Sequence, residues 1–149
     1  AEEYADFDFR FSFRVAPKAN SGVIWHVLET ESQTYMTGPE YQVFDDAAGE
    51  VDAKHAVGAL YDLVPASGKT VLPAGAWNEG RIVIEKGRVQ HWLNGVMVVE
   101  APCRGDEWDA MVQGSKFKNW PFGKSDRGRL ALQDHGDEVA YRNLRIRRL

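Results

Sequence analysis

Cysteine is almost absent from this chain: Cys103 stands alone in 149 residues, which excludes an internal disulfide. Its rarity leaves the redox compartment open, because oxidising compartments also hold proteins without disulfides. No apolar run approaches the length that crosses a bilayer, so a membrane-spanning helix is excluded as a partner of lipid. A basic excess is missing too. Eighteen Lys and Arg against 22 Asp and Glu give a formal charge of −4, which argues against a nucleic-acid backbone as the partner. The Arg-rich end at Arg142, Arg145, Arg147 and Arg148 is too short to reverse that. There is no internal repeat, low-complexity tract or linker, and hydrophobic residues at 44% with charged residues at 27% exclude disorder. What remains is one globular domain over residues 1–149, long enough to bury about two-thirds of its unfolded surface.

What is present is alternation. Phe7, Phe9, Phe11, Phe13 and Val15 fall on one side of a segment whose other side carries Asp8, Arg10, Ser12 and Arg14, the pattern of a half-buried antiparallel strand. Further strands are expected at Val23–Leu28, Glu40–Phe44, Ala59–Leu63, Arg81–Glu85, Val89–Leu93, Val96–Glu100, Arg129–Gln133 and Val139–Ile146. Asn94-Gly95, Lys86-Gly87 and Gly136-Asp137 read as the turns between neighbours. One short helix fits Glu107–Phe117, where Trp108, Met111 and Val112 share a face and Gly114 limits its length. Strand after strand at this spacing predicts an all-β, antiparallel two-sheet β-sandwich. Its inter-sheet core is expected to include Phe9, Phe11, Phe13, Val23, Val43, Leu130, Leu132, Leu144 and Ile146. Composition alone does not assign Trp25, Trp77, Trp92, Trp108 and Trp120 to the core or to a sugar-binding face.

The same alternation sorts the polar residues. Glu40 and Gln42 share a face opposite Tyr41 and Val43, and Gln133 and His135 share a face opposite Leu130 and Leu132. A solvated polar face explains each pair as well as a site does. Asp134 either orients His135 or caps the turn that Gly136 completes. His91 reads as a packed cross-strand residue and His55 as a solvated loop residue, while the direction of His26 is ambiguous because both faces of its segment are apolar. Asn20-Ser21-Gly22 reads as a turn from which Asn20 reaches a groove, and Tyr61 as a core aromatic with an emergent hydroxyl. No two histidines show metal-motif spacing, and Ser21 lacks the surroundings of a nucleophile elbow.

Six segments in order, YADFDFRFSFRV, NSGVIWHV, GPEYQVFDD, GALYDLV, WNEGRIVIEKGRVQHWLNG and GRLALQDHGDEVAYRNLRIRRL, resemble the 3-keto-disaccharide hydrolase domain family. The resemblance spans nearly the whole chain and implies a concanavalin A-like jelly-roll fold, a sugar or glycoside as the small-molecule partner, and a secreted or periplasmic bacterial setting. Two departures stand out. The family's usual N-terminal hairpin is expected to be missing, and relatives often carry Arg where this chain has His26. The resemblance turns the polar pairs into candidates: His135, Glu40 and Asp134 as catalytic residues, and Asn20, His26, Gln42, Tyr61 and Gln133 as substrate-binding ones.

The implied substrates are sugars oxidised at C3, and that ketone acidifies the hydrogen at C2. One base can then remove it and expel the C1 substituent by β-elimination. An imidazole titrating at about 6.5 suits that step, so His135 is the expected base, whereas Glu40 would need burial to rise so far. Gln133, Gln42, Asn20 or a bound divalent cation, with Glu40 and His135 as possible ligands, could carry the enolate oxygen. The alternative is a non-catalytic carbohydrate-binding, lectin-like module. A conventional two-carboxylate glycosidase ranks third, since only Glu40 is placed on the site face. The sequence says nothing of oligomeric state.

Overall fold

The computed structural model describes residues 2–149. In chain order it contains β1 (Phe7–Val15), β2 (Asn20–Val27), β3 (Glu40–Phe44), β4 (Asn78–Glu85), β5 (Arg88–Leu93), β6 (Val96–Pro102), α1 (Asp106–Gln113), β7 (Arg129–Leu132) and β8 (Val139–Arg148). The strands make two antiparallel sheets, one ordered β6-β5-β4-β1-β8 and the other β3-β2-β7. No helix is long and apolar enough to cross a membrane.

The five-stranded sheet grows from β1. Its phenylalanines face the interior and meet the apolar side of β4 at Phe7↔Ile84 and Phe9↔Ile82, and the rings of Phe9 and Phe11 stack 5.4 Å apart. Both hairpins that extend this sheet turn as expected. Lys86-Gly87 and Asn94-Gly95 hold positive φ at both positions, 50° and 77° in the first and 49° and 82° in the second, the backbone of a primed two-residue turn. Val23, Tyr41 and Val43 of the smaller sheet are fully buried and join the β1 phenylalanines in one core. Each large apolar side chain buried here stabilises the fold by about 1.5–3 kcal/mol over its exposed state.

Three expectations are corrected. Leu132 is 43% exposed and Leu144 49% exposed, so neither belongs to the core, whereas Leu130 and Ile146 pack against it. Both exceptions lie on edge strands at breaks in alternation. Leu132 ends β7, and Leu144 follows Asn143, whose left-handed backbone (φ 57°) sits where the β1–β8 register slips between Arg10 and Ser12. Ala59–Leu63 is not a strand: Asp62 takes φ 62°, and Leu60 makes only isolated bridges to Tyr41 and Val64. This loop still runs along β3, where the Gly58 amide donates to the Gln42 carbonyl, the Gln42 amide to the Ala59 carbonyl and the Tyr61 amide to the Glu40 carbonyl. It thereby delivers Tyr61 beside Glu40 and Gln42. The expected helix stops four residues early, at Gln113, with Gly114 as its cap.

Candidate functional site

The site is built on β2, which lies between β3 and β7. Across β2, Gly22 opposes Gln42 and Ile24 opposes Glu40. On the other side, the Gln133 amide donates to the Gly22 carbonyl at 2.9 Å, just beyond the end of β7. Residues from opposite ends of the chain thus meet on the face of the smaller sheet that Tyr41 and Val43 leave. There a cleft of about 190 Å³ is lined by Asn20, Glu40, Gln42, Tyr61, Gln133 and His135, together with Tyr35, Lys116 and Phe117.

Glu40 is only 5% exposed, so its face of β3 is not the solvated one that alternation also permits. Burial pushes its carboxyl from an ordinary value near 4.5 up to about 8, against a downward pull from the Lys116 ammonium. The carboxyl lies directly over Gly22, where any Cβ would run into Oε1. Gln42 is anchored through its amide nitrogen, which donates to the His55 carbonyl at 3.1 Å and to Asn20 Oδ1 at 3.4 Å. Its Oε1 is buried and has no partner in the protein. That orientation follows from the neighbours, since a flipped amide would set two carbonyl oxygens against each other at His55. A buried acceptor left open beside a cleft is a place for a ligand hydroxyl or a protonated acid.

His135 stands on the turn after β7 and is half exposed, with Nδ1 3.8 Å from Asp137 Oδ2. Asp137 also accepts from the Asn20 backbone amide at 2.9 Å. Asp134 does not touch the imidazole. Its Oδ1 accepts from the Gly136 amide at 2.9 Å, so of its two readings the turn cap is the one observed. His26 is not brought to the cleft either. A positive φ of 51° at a break in the β2–β7 register turns it inward. There it bonds the Ala5 carbonyl at 2.8 Å and packs edge-on against Phe7 and Trp25. Burial holds its imidazole below the ordinary histidine range. His91 is fully buried as expected, bonds the Gly58 carbonyl and is lowered by burial to about 4.

Sequence reading missed two groups. His55 is not a solvated loop residue: its Nε2 lies 2.8 Å from Asp62 Oδ1 and its ring stacks on Tyr61 at 4.7 Å. Tyr35 stands on a single helical turn, and Lys116 and Phe117 follow the helix, which stops before them, so no periodicity assigns these side chains to a face. The only available signal was the density of aromatics in Phe117, Trp120 and Phe122, which the structure resolves into a Phe117–Phe122 stack at 4.0 Å and a Tyr35–Trp120 contact at 5.7 Å. As for a metal, no three His, Cys, Asp or Glu side chains among the described residues are grouped to hold one. Glu40 and His135 therefore lack a third such ligand.

Comparison with known proteins bears on this arrangement. Residues 1–147 match a family described as the 3-keto-alpha-glucoside-1,2-lyase-like domain. A 3-keto-disaccharide hydrolase of Bacteroides thetaiotaomicron is 31% identical over 173 aligned positions, which cover 99% of this chain and 60% of that protein. The chain thus spans about three-fifths of the length of this curated relative. A crystal structure of a candidate glycosyl hydrolase from Parabacteroides distasonis is 28% identical with a TM-score of 0.92, covering 100% of this chain and 74% of its own. The carbohydrate-binding module CBM66 from Bacillus subtilis shares the fold alone, at 12% identity and a TM-score of 0.60 over 98% of this chain and 77% of its own.

Proposed function

Because this chain belongs to the 3-keto-alpha-glucoside-1,2-lyase-like domain family, we propose that it cleaves glycosides whose sugar is oxidised at C3, by removing the C2 proton and eliminating the C1 substituent. The observation that carries the reading is the pairing, in one cleft, of an exposed imidazole with a buried carboxyl that keeps its proton at neutral pH. Two titratable groups held in unlike environments divide naturally into base and acid. His135, open to solvent, takes the C2 proton. The electron pair left at C2 forms the C1–C2 double bond as the C1–O bond breaks, and Glu40 gives its proton to the departing oxygen. Addition of water across that double bond returns a 3-keto sugar, so elimination followed by hydration accounts for a net hydrolysis. Gln42 Oε1, an acceptor without a partner, receives a sugar hydroxyl.

The test compares a 3-keto-glucoside carrying a chromogenic aglycone with its unoxidised parent. Aglycone should be released from the first only. Equal release from both would sink the elimination, because without the carbonyl the C2 hydrogen is too weakly acidic for an imidazole to remove. His135→Ala should still bind the 3-keto-glucoside while turnover drops by a factor of about a hundred or more. If wild type binds the sugar and turns over neither substrate, the lectin-like reading takes its place.

A further inference from the structure

Four residues at the wall of the cleft close a ring of contacts that the acid and base roles do not use. The Asp62 carboxylate is divided: Oδ1 accepts from His55 Nε2 at 2.8 Å, and Oδ2 accepts from the backbone amide of Lys116 at 3.0 Å. Burial alone would raise this carboxyl, but those two bonds outweigh it and hold Asp62 below the usual carboxylate range, in its anionic form. The His55 ring lies on the Tyr61 ring at 4.7 Å with 27° between planes. The circuit closes where Lys116 Nζ donates to the Tyr61 hydroxyl at 3.1 Å while standing 4.3 Å from the centre of the same ring. A lysine is ordinarily a mobile point charge. Here its backbone and its ammonium are both held to residues that hold each other.

The ammonium makes no direct ion pair, although the Asp62 carboxylate acts on it at longer range. Lys69 and Lys124 each pair with an aspartate, at 2.6 and 2.7 Å, whereas Lys116 enters no ion pair among the described residues. Its ties are to a neutral hydroxyl and to aromatic faces, and the carboxyl it acts on across the cleft, Glu40, is neutral when protonated. A cation placed so has no anion in direct contact with it until the reaction makes one. The proposed elimination makes one at the C3 oxygen. Gln42 cannot serve that oxygen, since its amide hydrogens are spent on His55 and Asn20 and only an acceptor remains. The amides of Asn20 and Gln133 are neutral donors, about half as strong toward an oxyanion as a charged one.

Resting on the function proposed above, we infer that Lys116 is a catalytic residue: its ammonium, with the Tyr61 hydroxyl beside it, takes the C3 carbonyl oxygen and carries the negative charge that forms there. Asp62 and His55 are positioning residues for that pair. As His135 removes the C2 proton, the electron pair of the C2–H bond becomes the C2–C3 double bond of an enolate, with the charge on O3 against Lys116. The enolate then reforms the C3 carbonyl, the C1–C2 double bond forms, and the C1–O pair leaves with the proton of Glu40.

Enolisation can be watched apart from aglycone loss with 1,5-anhydroglucitol oxidised at C3, which carries no aglycone at C1. In deuterium oxide the wild-type chain should exchange the C2 hydrogen, followed by proton NMR. Lys116→Met should slow that exchange by about a hundredfold, the loss expected when one oxyanion donor is removed, with the half-saturating sugar concentration little changed. Thermal unfolding of the variant, taken alongside, should stay close to wild type, because the side chain is exposed and the bond to Asp62 comes from the backbone amide, which the substitution keeps. Wild-type exchange with undiminished exchange in Lys116→Met overturns the role of Lys116 and leaves the proposed function standing. Absence of both C2 exchange and aglycone release in the wild type overturns the proposed function, and this inference with it.

Discussion

Glu40 owes its chemistry to where its carboxyl is forced to lie. Gly22 gives it a floor without a side chain, and the loop alongside β3 is bonded to the backbone of the same strand. Its value of about 8 against an ordinary 4.5 couples protonation to stability. The native state holds this proton more tightly than the unfolded chain does, so the contribution is fully present below about pH 4.5 and is lost as pH rises through about 8. Glu40→Gln removes the ionisable group and with it the loss. Compared by thermal unfolding between pH 5 and pH 9, the variant should gain on wild type as pH rises and level off above pH 8, by on the order of 2–4 kcal/mol. A gap that stays constant with pH would mean that Glu40 titrates in the ordinary range. Gly22→Ala tests the floor: its Cβ must displace the carboxyl, so turnover of a 3-keto-glycoside should fall at least tenfold while the circular dichroism of the sandwich persists. Full activity in Gly22→Ala would show that Glu40 has room to move without consequence.

At the scale of elements, alternation carries far where a strand is straight and central, and fails where it bends or ends. β1 is bonded on both sides, to β4 and β8, so its odd-numbered phenylalanines all face the core. Leu144 has the same pattern on paper, but the register slip at Asn143 on an edge strand puts it in solvent. The two positions should differ sharply when truncated. Phe11→Ala should cost about 3–5 kcal/mol in chemical denaturation, whereas Leu144→Ala should stay within about 0.5 kcal/mol. A large loss at Leu144 would mean that β8 continues inward past the slip. The same logic explains what was legible in the site. Period-two spacing put Glu40 and Gln42 on one shared face and Gln133 on the face opposite Leu130 and Leu132, and the family resemblance singled those faces out as the site. Lys116 and Tyr35 were not found this way, since they sit after a helix and on a single helical turn, where their direction depends on packing against residues far away in sequence. His26 stayed ambiguous for a third reason: both faces of its segment are apolar, and its inward direction is set by a left-handed backbone that alternation does not reveal.

Across the whole molecule, the cleft joins the chain's first third to its last third, and the acid and base roles proposed for it depend on that closure. His135 arrives after β7, Glu40 on β3, and Lys116 from the segment that follows α1, so the charge balance at Glu40 is a property of the folded chain and of no local segment. The direction in which activity changes with pH then distinguishes the two roles a buried carboxyl can take. As the acid that protonates the departing oxygen, Glu40 must hold its proton, and turnover of a 3-keto-glycoside should fall as pH rises through about 8. As the base on C2 it would have to lose that proton, and turnover would climb through the same range. Initial rates at saturating substrate between pH 6 and pH 10, kept to temperatures at which unfolding scans show the fold intact, should display the falling limb. Lys116 adds a signed check on its origin. Its cation favours the carboxylate and draws the Glu40 value down, so in Lys116→Met the residual activity should keep its falling limb but move it to higher pH. A limb that stays in place belongs to a group that does not sense Lys116, and a limb that rises with pH assigns Glu40 to the opposite side of the proton transfer.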